Sequence, residues 1–523
     1  MYLRRTVKRL RFMYNKQAKG TKTQQTKTKL TKSLGFNIDC IQKMLGDSDD
    51  VKSHFFSFGQ HGNLQGALVY IDGLVNVQTI TDTILMPLLR RRFANGEKPS
   101  PETLRRTVLC SCDTSLYDTA DDLVSGCLSG HTAMIVDGHA SGLLMSTKGW
   151  ETRNISEAQS ESVVRGPREG FTEDYRTNTS LLRRRIKNPH FRLEHMLIGR
   201  QTKTSVCIAY INGIANEKVI QTVKNRLASL DIDSVMDTGY LEQYIEDAPF
   251  SVFPTIGYSE KPDVIAGRIL EGRIAIIADG SPFVLTVPML FTESFQTSED
   301  YYARTIYVSL VRMMRFFAFF LTVFAPAIYI ALTTFHQELL PTTLLYTVAD
   351  AREGIPFTSF FEAFIMIFAY EILREAGIRL PRPVGQAISI VGALIMGDAA
   401  VSAGIVGAPM VITIAITAVA GFIVPEQNDS ASILRLIAMV FANFFGGYGI
   451  AMVFLFMLMH LAALRSFGIP YFETVTPSRD LEDSYIRMPL WTMSKRPRRI
   501  AKGNITRRHS VKPPPNGKGG GES

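Results

Sequence analysis

The sequence predicts an α/β soluble N-terminal region of two duplicated subdomains, followed by an all-α multi-pass transmembrane bundle. Three observations lead to this fold class. Charged residues crowd the first 310 positions and the last 60, whereas long apolar runs fill the part between them. Within the first 300 residues, short β-branched runs end in Asp-Gly or Asn-Gly and precede amphipathic helical stretches. Two of these units recur in the same order, which indicates an internal duplication.

Both ends of the chain are basic, and residues 1–35 are predicted to be a disordered tail. Residues 1–32 carry eleven Lys/Arg and no acid, and residues 481–523 carry ten Lys/Arg against three acids. We expect solvated tails, with attraction to an anionic membrane surface as the alternative. Nucleic-acid binding is not predicted, because neither end offers a fold or interleaved aromatic side chains. Residues 466–523 are assigned to a cytosolic basic tail, largely disordered from about residue 495.

The internal repeat has an offset of about 140 residues. Segment 68–76 matches segment 208–216, and each predicts a strand, a turn and a helix. Glycine-rich segments around Asp137 and Asp279 form the second matching pair and predict β-hairpins. We interpret these two aspartates as turn residues, with ligand binding as the alternative. The α/β subdomains are assigned to residues 36–150 and 195–300.

Residues 151–194 are predicted to be a linker region that contains one helix. Thr172 is expected to cap the N-terminus of this helix, and Asn188-Pro189 is expected to end it. Acidic residues at the start and arginines at the end suit the helix macrodipole. A solvated linker helix and a salt-bridged contact with another subunit are equal alternatives. The charged residues assigned to this region are Arg165, Arg168, Glu169, Glu173, Asp174, Arg176, Arg183, Arg184 and Arg185.

Apolar stretches in residues 301–465 predict the transmembrane domain. One stretch is too long for a single crossing and is divided at Gly407-Ala-Pro409. No signal peptide precedes the first stretch, and the basic loops predict that both chain ends face the cytosol. An even number of crossings follows, with four to six compatible with the sequence. The predicted stretches are Met313–Phe335, Pro356–Tyr370, Val384–Ile423 and Leu434–Leu464.

Two acidic residues lie inside these apolar stretches. Glu362 and Asp398 are functional candidates. An ionisable group at membrane depth is energetically costly, so its presence there usually marks a functional position. Small residues spaced four apart surround Asp398 and predict close helix packing. For Asp398 we consider both a structural hydrogen bond and a role in an ion path.

The sequence predicts no catalytic, metal or cofactor site. It contains no phosphate-binding loop, no zinc-protease His-Glu motif and no nucleophile elbow. Cys110 and Cys112 could contact a metal, but nothing nearby completes a site. A membrane path for ions is therefore the simpler expectation for a bundle with buried carboxylates.

Five segments within residues 35–485 together indicate a family. They are Arg165–Asn178, Leu181–Ile186, Ala351–Pro356, Glu371–Pro383 and Gly385–Gly392. In sequence and in order, they resemble the motifs of spore germination receptor A-subunits, the GerA family.

The resemblance implies an A-subunit that acts in the inner membrane of bacterial spores with a transporter-like B-subunit and a lipoprotein C-subunit. It also implies self-association, as a pentamer, into a nutrient-gated cation channel that contacts membrane lipid and starts germination. The N-terminal domain would then lie on the cytosolic, spore-core side. A non-conducting signalling or scaffold subunit, a paralogous subunit of the dipicolinate-release machinery and a secondary transporter are the alternatives. The implied pore-lining residues are Ser389, Val391, Gly392, Ile395 and Ala399.

Overall fold

The described part of the chain contains two antiparallel five-stranded sheets with helices, a helical bundle after them, and a two-stranded hairpin of Arg465–Ser466 with Ile469–Pro470. It is a computed structural model. Four of the expected pore residues, Ser389, Val391, Gly392 and Ile395, lie outside the described residues. The structure describes residues 27–59, 62–91, 93, 99–109, 113–149, 157–158, 161, 163–379, 397–472, 483–497 and 500–507.

The first α/β unit has the strand order β1-β2-β4-β5-β3, with every neighbouring pair antiparallel. Its strands are β1 (Val51–Phe58), β2 (Leu64–Ile71), β3 (Thr114–Tyr117), β4 (His131–Val136) and β5 (Gly142–Ser146). Its helices are α1 (Leu34–Leu45), α2 (Val77–Ile80), α3 (Met86–Arg90), α4 (Pro101–Thr107) and α5 (Ala120–Cys127), with a π-helical turn at Thr81–Leu85 between α2 and α3.

The second α/β unit repeats this topology, with the strand order β6-β7-β9-β10-β8. Its strands are β6 (Phe191–Ile198), β7 (Thr204–Ile211), β8 (Gly257–Ser259), β9 (Ile274–Ala278) and β10 (Val284–Val287). Its helices are α6 (Tyr175–Arg185), α7 (Glu217–Ala228), α8 (Thr238–Ile245) and α9 (Pro262–Leu270). The matching segments 68–76 and 208–216 both begin within the second strand of their unit, and both expected hairpins are present.

Helix α6 belongs to the second unit and is the counterpart of α1. Asp137 accepts a hydrogen bond from the backbone N–H of Leu34 at the start of α1 (3.1 Å), and Asp279 does the same for Tyr175 at the start of α6 (3.3 Å). Both aspartates follow the hairpin strand β4 or β9, so each hairpin turn contacts the start of a helix. The structure therefore groups α6 with the second sheet instead of a separate linker region.

The predicted cap of this helix is wrong by two residues. Asp174 is the N-cap, and its side chain accepts from the backbone N–H of Thr177 (2.8 Å). Thr172 instead donates its backbone N–H to the side chain of Asn178 (2.8 Å). A carboxylate is the stronger choice here, because it is both a good acceptor and a favourable charge at a helix N-terminus.

The C-terminal bundle contains α10 (Thr305–Thr334), α11 (Thr342–Asp350), α12 (Ser359–Arg379), α13 (Ala408–Gly421) and α14 (Asn428–Ala463). Residues 397–402 are also helical. Among the described residues, two helices are long and apolar enough to cross a membrane, at residues 305–334 and 425–463. The division expected at Gly407 is present, because Gly407 is the N-cap of α13.

Helix α14 is a hairpin of two antiparallel legs, so the prediction of a single last span is wrong. Gly446 leaves helical geometry (φ 56°, ψ −135°). A Cβ on Gly449 would lie 2.2 Å from the carbonyl oxygen of Phe441, whereas eight residues of straight helix rise about 12 Å. Ser430 near the start of α14 bonds to Val252, and His460 near its end bonds to the adjacent Ser251. Both ends of α14 therefore lie at the same end of the bundle.

Part of the C-terminal tail packs on the second sheet. Ile500 and Ala501 are buried in its core, and Arg507 forms an ion pair with Glu271 (3.4 Å). We expected a largely disordered tail from about residue 495. The apolar pair in this basic segment contacts the sheet instead, because burying it removes apolar surface from water.

Candidate functional site

The bundle has a proximal end, next to the α/β units, and a distal end. At the distal end, the backbone N–H of Gly447 in the turn of α14 donates to the ring of His336, two residues after α10 (3.1 Å). At the proximal end, the backbone N–H of Phe291 donates to the carbonyl oxygen of Tyr471 (3.0 Å). The site residues can be placed relative to these two ends.

Glu362 lies near the distal end and is fully buried, with 0% of its surface exposed. One carboxylate oxygen lies 3.2 Å from Arg352, which follows α11, and the other accepts from the backbone N–H of Gly407 (3.0 Å). A buried carboxylate is tolerated when a charge and hydrogen bonds compensate it. Glu362 therefore joins the loop after α11 to the start of α13, and its environment is that of a structural ion pair.

Asp398 and Ala399 lie in the helical segment 397–402 and are both exposed on the surface of the single chain. Gly397 of the same segment is buried, and a Cβ there would lie 3.3 Å from the side chain of Val411 on α13. The segment thus packs on α13 through its glycine and directs Asp398 away from that contact. The structure gives the two acidic candidates different environments, one paired inside the bundle and one uncovered at its surface.

The nine charged residues assigned to the region of α6 mostly make contacts within the chain. Arg183 is 1% exposed and forms a two-pronged ion pair with Asp50 (2.8 Å for both bonds). It also donates to the carbonyl oxygen of Phe191 (2.9 Å) and the hydroxyl of Ser48 (3.1 Å). The bonds to Asp50 and Ser48 join the first α/β unit to the second.

The remaining members of this set are less buried. Arg176 pairs with Asp72 of the first unit, Arg184 and Arg185 both pair with Glu169, and Arg168 pairs with Glu157. Asp174 caps α6, and the carbonyl oxygen of Glu173 accepts from Gly280. Arg165 is exposed, and for it a contact with another subunit stays a prediction.

The segment before β1 also covers the outer edge of the second sheet. The backbone N–H of Asp49 donates to the carbonyl oxygen of Leu193 on β6 (3.1 Å), and Leu193 donates to the hydroxyl of Ser48 (2.9 Å). Asp50 follows directly, and although burial alone would raise its pKa, Arg183 and neighbouring donors lower it below its ordinary value. The carboxylate is thus held charged at the junction of the units.

A second buried ion cluster joins α10 to the segments around it, and sequence reasoning missed it. Arg312 is 0% exposed and donates to Asp300, before α10 (2.8 Å), and to Asp483, after the bundle (3.0 Å). Arg315 also donates to Asp300 (2.9 Å). Burial raises the pKa of Asp483 above its ordinary range. Both arginines lie at the start of the predicted apolar stretch Met313–Phe335, and their acidic partners carry no local sequence signal.

A third contact at the proximal end connects the second α/β unit with the turn between α13 and α14. Gln427 in that turn donates to Ser294 (2.7 Å), and Glu426 lies 4.0 Å from Arg268 on α9. Arg273, buried at the start of β9, pairs with Glu293. The α/β region and the bundle are therefore connected at several points through buried polar groups.

Comparisons with known proteins identify the family. The family model described as "Bacillus/Clostridium GerA spore germination protein" matches residues 39–499. The chain belongs to the GerA family of spore germination proteins. "Spore germination protein KA" of Bacillus subtilis (strain 168) is 43% identical over 482 residues, covering 91% of this chain and 88% of that protein. "Spore germination protein B1" of the same organism is 41% identical over 467 residues, covering 88% and 96%.

A solved structure is also similar to this GerA-family chain. It is the crystal structure of the N-terminal domain of the A subunit of the Bacillus megaterium spore germinant receptor GerK3. It is 39% identical, with a TM-score of 0.42, and covers 51% of this chain and 99% of that domain. The match to the family model and to the relatives confirms, at the level of the family, the resemblance that the motifs indicated.

Proposed function

We propose that this GerA-family chain is the A-subunit of a nutrient-responsive germination receptor and forms an oligomeric ion channel in the spore inner membrane. The observation that carries the proposal is the uncovered position of Asp398 beside Ala399. A carboxylate at the surface of an apolar bundle is costly against lipid. Water in a lumen between several copies removes that cost, and rings of acidic side chains are a common way to attract cations.

The positions of the helix ends support several membrane crossings. Helix α10 runs from the proximal Arg312 to the distal end, where Thr333 bonds to Ser359 at the start of α12 (2.9 Å). Helix α13 begins beside Glu362, and the two legs of α14 run to the distal end and back. The α/β region would lie on the cytosolic, spore-core side, as the basic loops predict.

The partners follow from the family resemblance. The receptor would contain a transporter-like B-subunit, which holds the nutrient, and a lipoprotein C-subunit, with five copies of this chain around the pore. The relatives named "Spore germination protein KA" and "Spore germination protein B1" support a role in germination. The expected pore helix includes Ser389, Val391, Gly392, Ile395 and Ala399.

The decisive experiment is ion flux through the reconstituted receptor. Asp398→Asn removes the charge and keeps the shape, and we expect nutrient-triggered cation flux to fall roughly tenfold, which corresponds to about 1.4 kcal/mol. Glu375→Gln is the matched control, because Glu375 is an exposed acid paired with Arg379 on α12. Unchanged flux in the Asp398 variant, or an equal loss in the control, contradicts the pore assignment.

A non-conducting signalling or scaffold subunit of the receptor is the second candidate, and the paralogous subunit of the dipicolinate-release machinery is a separate alternative. The bonds of Ser430 to Val252 and of Gln427 to Ser294 favour the second candidate, because they connect the second α/β unit with the bundle. This hypothesis predicts that purified oligomers support germination signalling but show no ion permeability. Flux measured in the absence of other subunits separates the two candidates.

A further inference from the structure

Phe250 is a fully exposed aromatic side chain at the proximal end of the bundle. Its exposed fraction is 101%, although the next three residues all contact other parts of the chain. Ser251 bonds to His460 at the end of α14 (2.9 Å), and the carbonyl oxygen of Val252 accepts from Ser430 at its start (2.7 Å). Phe253 packs in the core of the bundle. Phe250 is therefore held beside the two ends of α14.

The loop that carries Phe250 has a defined shape. The backbone N–H of Ser251 donates to the carbonyl oxygen of Ala248 (2.9 Å), which closes a tight turn with Phe250 inside it. The backbone N–H of Phe253 then donates to the hydroxyl of Ser251 (3.1 Å). A side chain presented by a preformed turn loses little conformational freedom when its ring becomes covered.

An exposed apolar surface leads from the bundle to this loop. The second leg of α14 carries Met452, Leu455, Phe456 and Met459 on its outside, all exposed, and His460 follows at once. Because His460 bonds to Ser251, the outer face of this leg ends at the loop of Phe250. An outer face of that composition is typical of contact with lipid chains.

Two charged residues near the loop are compatible with contact with a bilayer surface. Asp247 is neutralised by Arg226 and also accepts from the backbone N–H of Phe467. Arg465, two residues after the end of α14, is exposed and suits the phosphate of a lipid headgroup. Aromatic residues favour this boundary between headgroups and acyl chains.

We propose that Phe250 is a membrane anchor of the second α/β unit, inserted into the leaflet that faces the α/β region at the boundary between headgroups and acyl chains. The proposal rests on the proposed function, because it requires the bundle to lie in a bilayer. The continuity of Phe250 with the outer face of α14 favours lipid over a second copy of the chain. The anchor would fix the distance between the second sheet and the membrane.

The test places single tryptophan reporters in the full chain, in nanodiscs with and without brominated lipid. The two native tryptophans, Trp150 and Trp491, are first replaced by Phe. Phe250→Trp reports on the anchor, and Phe456→Trp reports on the lipid-facing leg of α14. Phe55→Trp is the matched control, because Phe55 is exposed on β1 of the first unit.

We expect brominated lipid to quench emission from the Phe250 and Phe456 reporters to a similar extent, and to leave the Phe55 reporter unchanged. Quenching at Phe456 without quenching at Phe250 overturns the anchor and leaves the membrane function standing. A blue-shifted but unquenched Phe250 reporter means that a second copy covers it, which also overturns the anchor. Absence of quenching at all three positions contradicts the membrane location itself, and equal quenching at all three indicates adsorption to lipid and overturns the anchor.

Discussion

The two α/β units share one topology but differ in what their first helix contacts. In both units, an aspartate after a hairpin strand accepts a hydrogen bond from a backbone N–H at the start of that helix. At the offset of 141 residues that relates Leu34 to Tyr175, Gln42 of α1 corresponds to Arg183 of α6. Gln42 bonds locally to Ser53 (3.0 Å), whereas Arg183 pairs with Asp50 of the other unit. At this position α1 therefore bonds within its own unit, whereas α6 joins the two units.

The second unit also carries the contacts to the bundle. Its segment 251–253 lies between the ends of α14, and the turn after α9 covers Ala501 of the C-terminal segment. A cluster of buried ion pairs then continues into α10. The first unit is thus connected with the bundle through α6 and the second unit, and we expect substitutions to differ in effect according to the unit they alter.

The largest expected effect is at the junction of the units. Arg183→Ala leaves the buried carboxylate of Asp50 without its partner, and we expect a loss of about 3–5 kcal/mol in the free energy of unfolding. Gln42→Ala is the matched control at the corresponding position and should cost about 1 kcal/mol. Chemical denaturation of the full chain in detergent measures both. Equal losses in the two variants would contradict the assigned difference between the units.

The cluster at the start of α10 should have the next largest effect. Arg312→Met removes the shared partner of Asp300 and Asp483 but leaves Arg315 in place, so we expect a loss of about 2–3 kcal/mol. Limited proteolysis should then cut the segment 483–507 faster. Arg379→Met, which breaks an exposed pair with Glu375, should cost at most about 0.5 kcal/mol and leave the cleavage rate unchanged.

The turn of α14 gives a prediction of intermediate size. Gly449→Ala would place a methyl group 2.2 Å from the carbonyl oxygen of Phe441, so the two legs must separate, at a cost of about 1–3 kcal/mol. Gly267→Ala is the control on α9, where no atom lies within 4 Å of the added methyl group, and it should stabilise the chain by about 0.5–1 kcal/mol. Thermal unfolding of both variants checks the hairpin, and a Gly449 variant as stable as the parent chain would favour a straight helix.

The smallest predicted effect is a pH dependence that arises at the junction. The pKa of Asp50 is lowered in the folded state. Its contribution to the free energy of unfolding is therefore fully present above the ordinary carboxyl pKa of about 3.9, and it is lost as the pH falls through the lower, folded-state pKa. The free energy of unfolding of the parent chain, measured at a series of pH values from 6 downwards, should show this loss. Asp50→Asn should reduce the slope at low pH, and an unchanged slope would mean that other carboxylates carry it.

Local patterns were sufficient for several parts of the fold. The duplicated strand–turn segments, the two Asp-Gly hairpins and the helix break at Gly407 follow from spacing and turn chemistry over a few residues. The family motifs are equally local, and the comparisons confirm them. Glu362 was singled out because an acid within an apolar stretch stands out without any structure.

The tertiary structure decided the features that depend on distant residues. The sequence determined the repeat, the apolar stretches and the family, because each is a periodic or contiguous pattern. It did not determine the partners of Arg183 and Arg312, which lie 133 and 171 residues away, nor the return of α14 at a glycine inside a helical pattern. Phe250 is likewise an ordinary apolar residue in the sequence, and only packing places it beside the two ends of α14. These features arise from how finished elements pack, and only the folded chain brings them together.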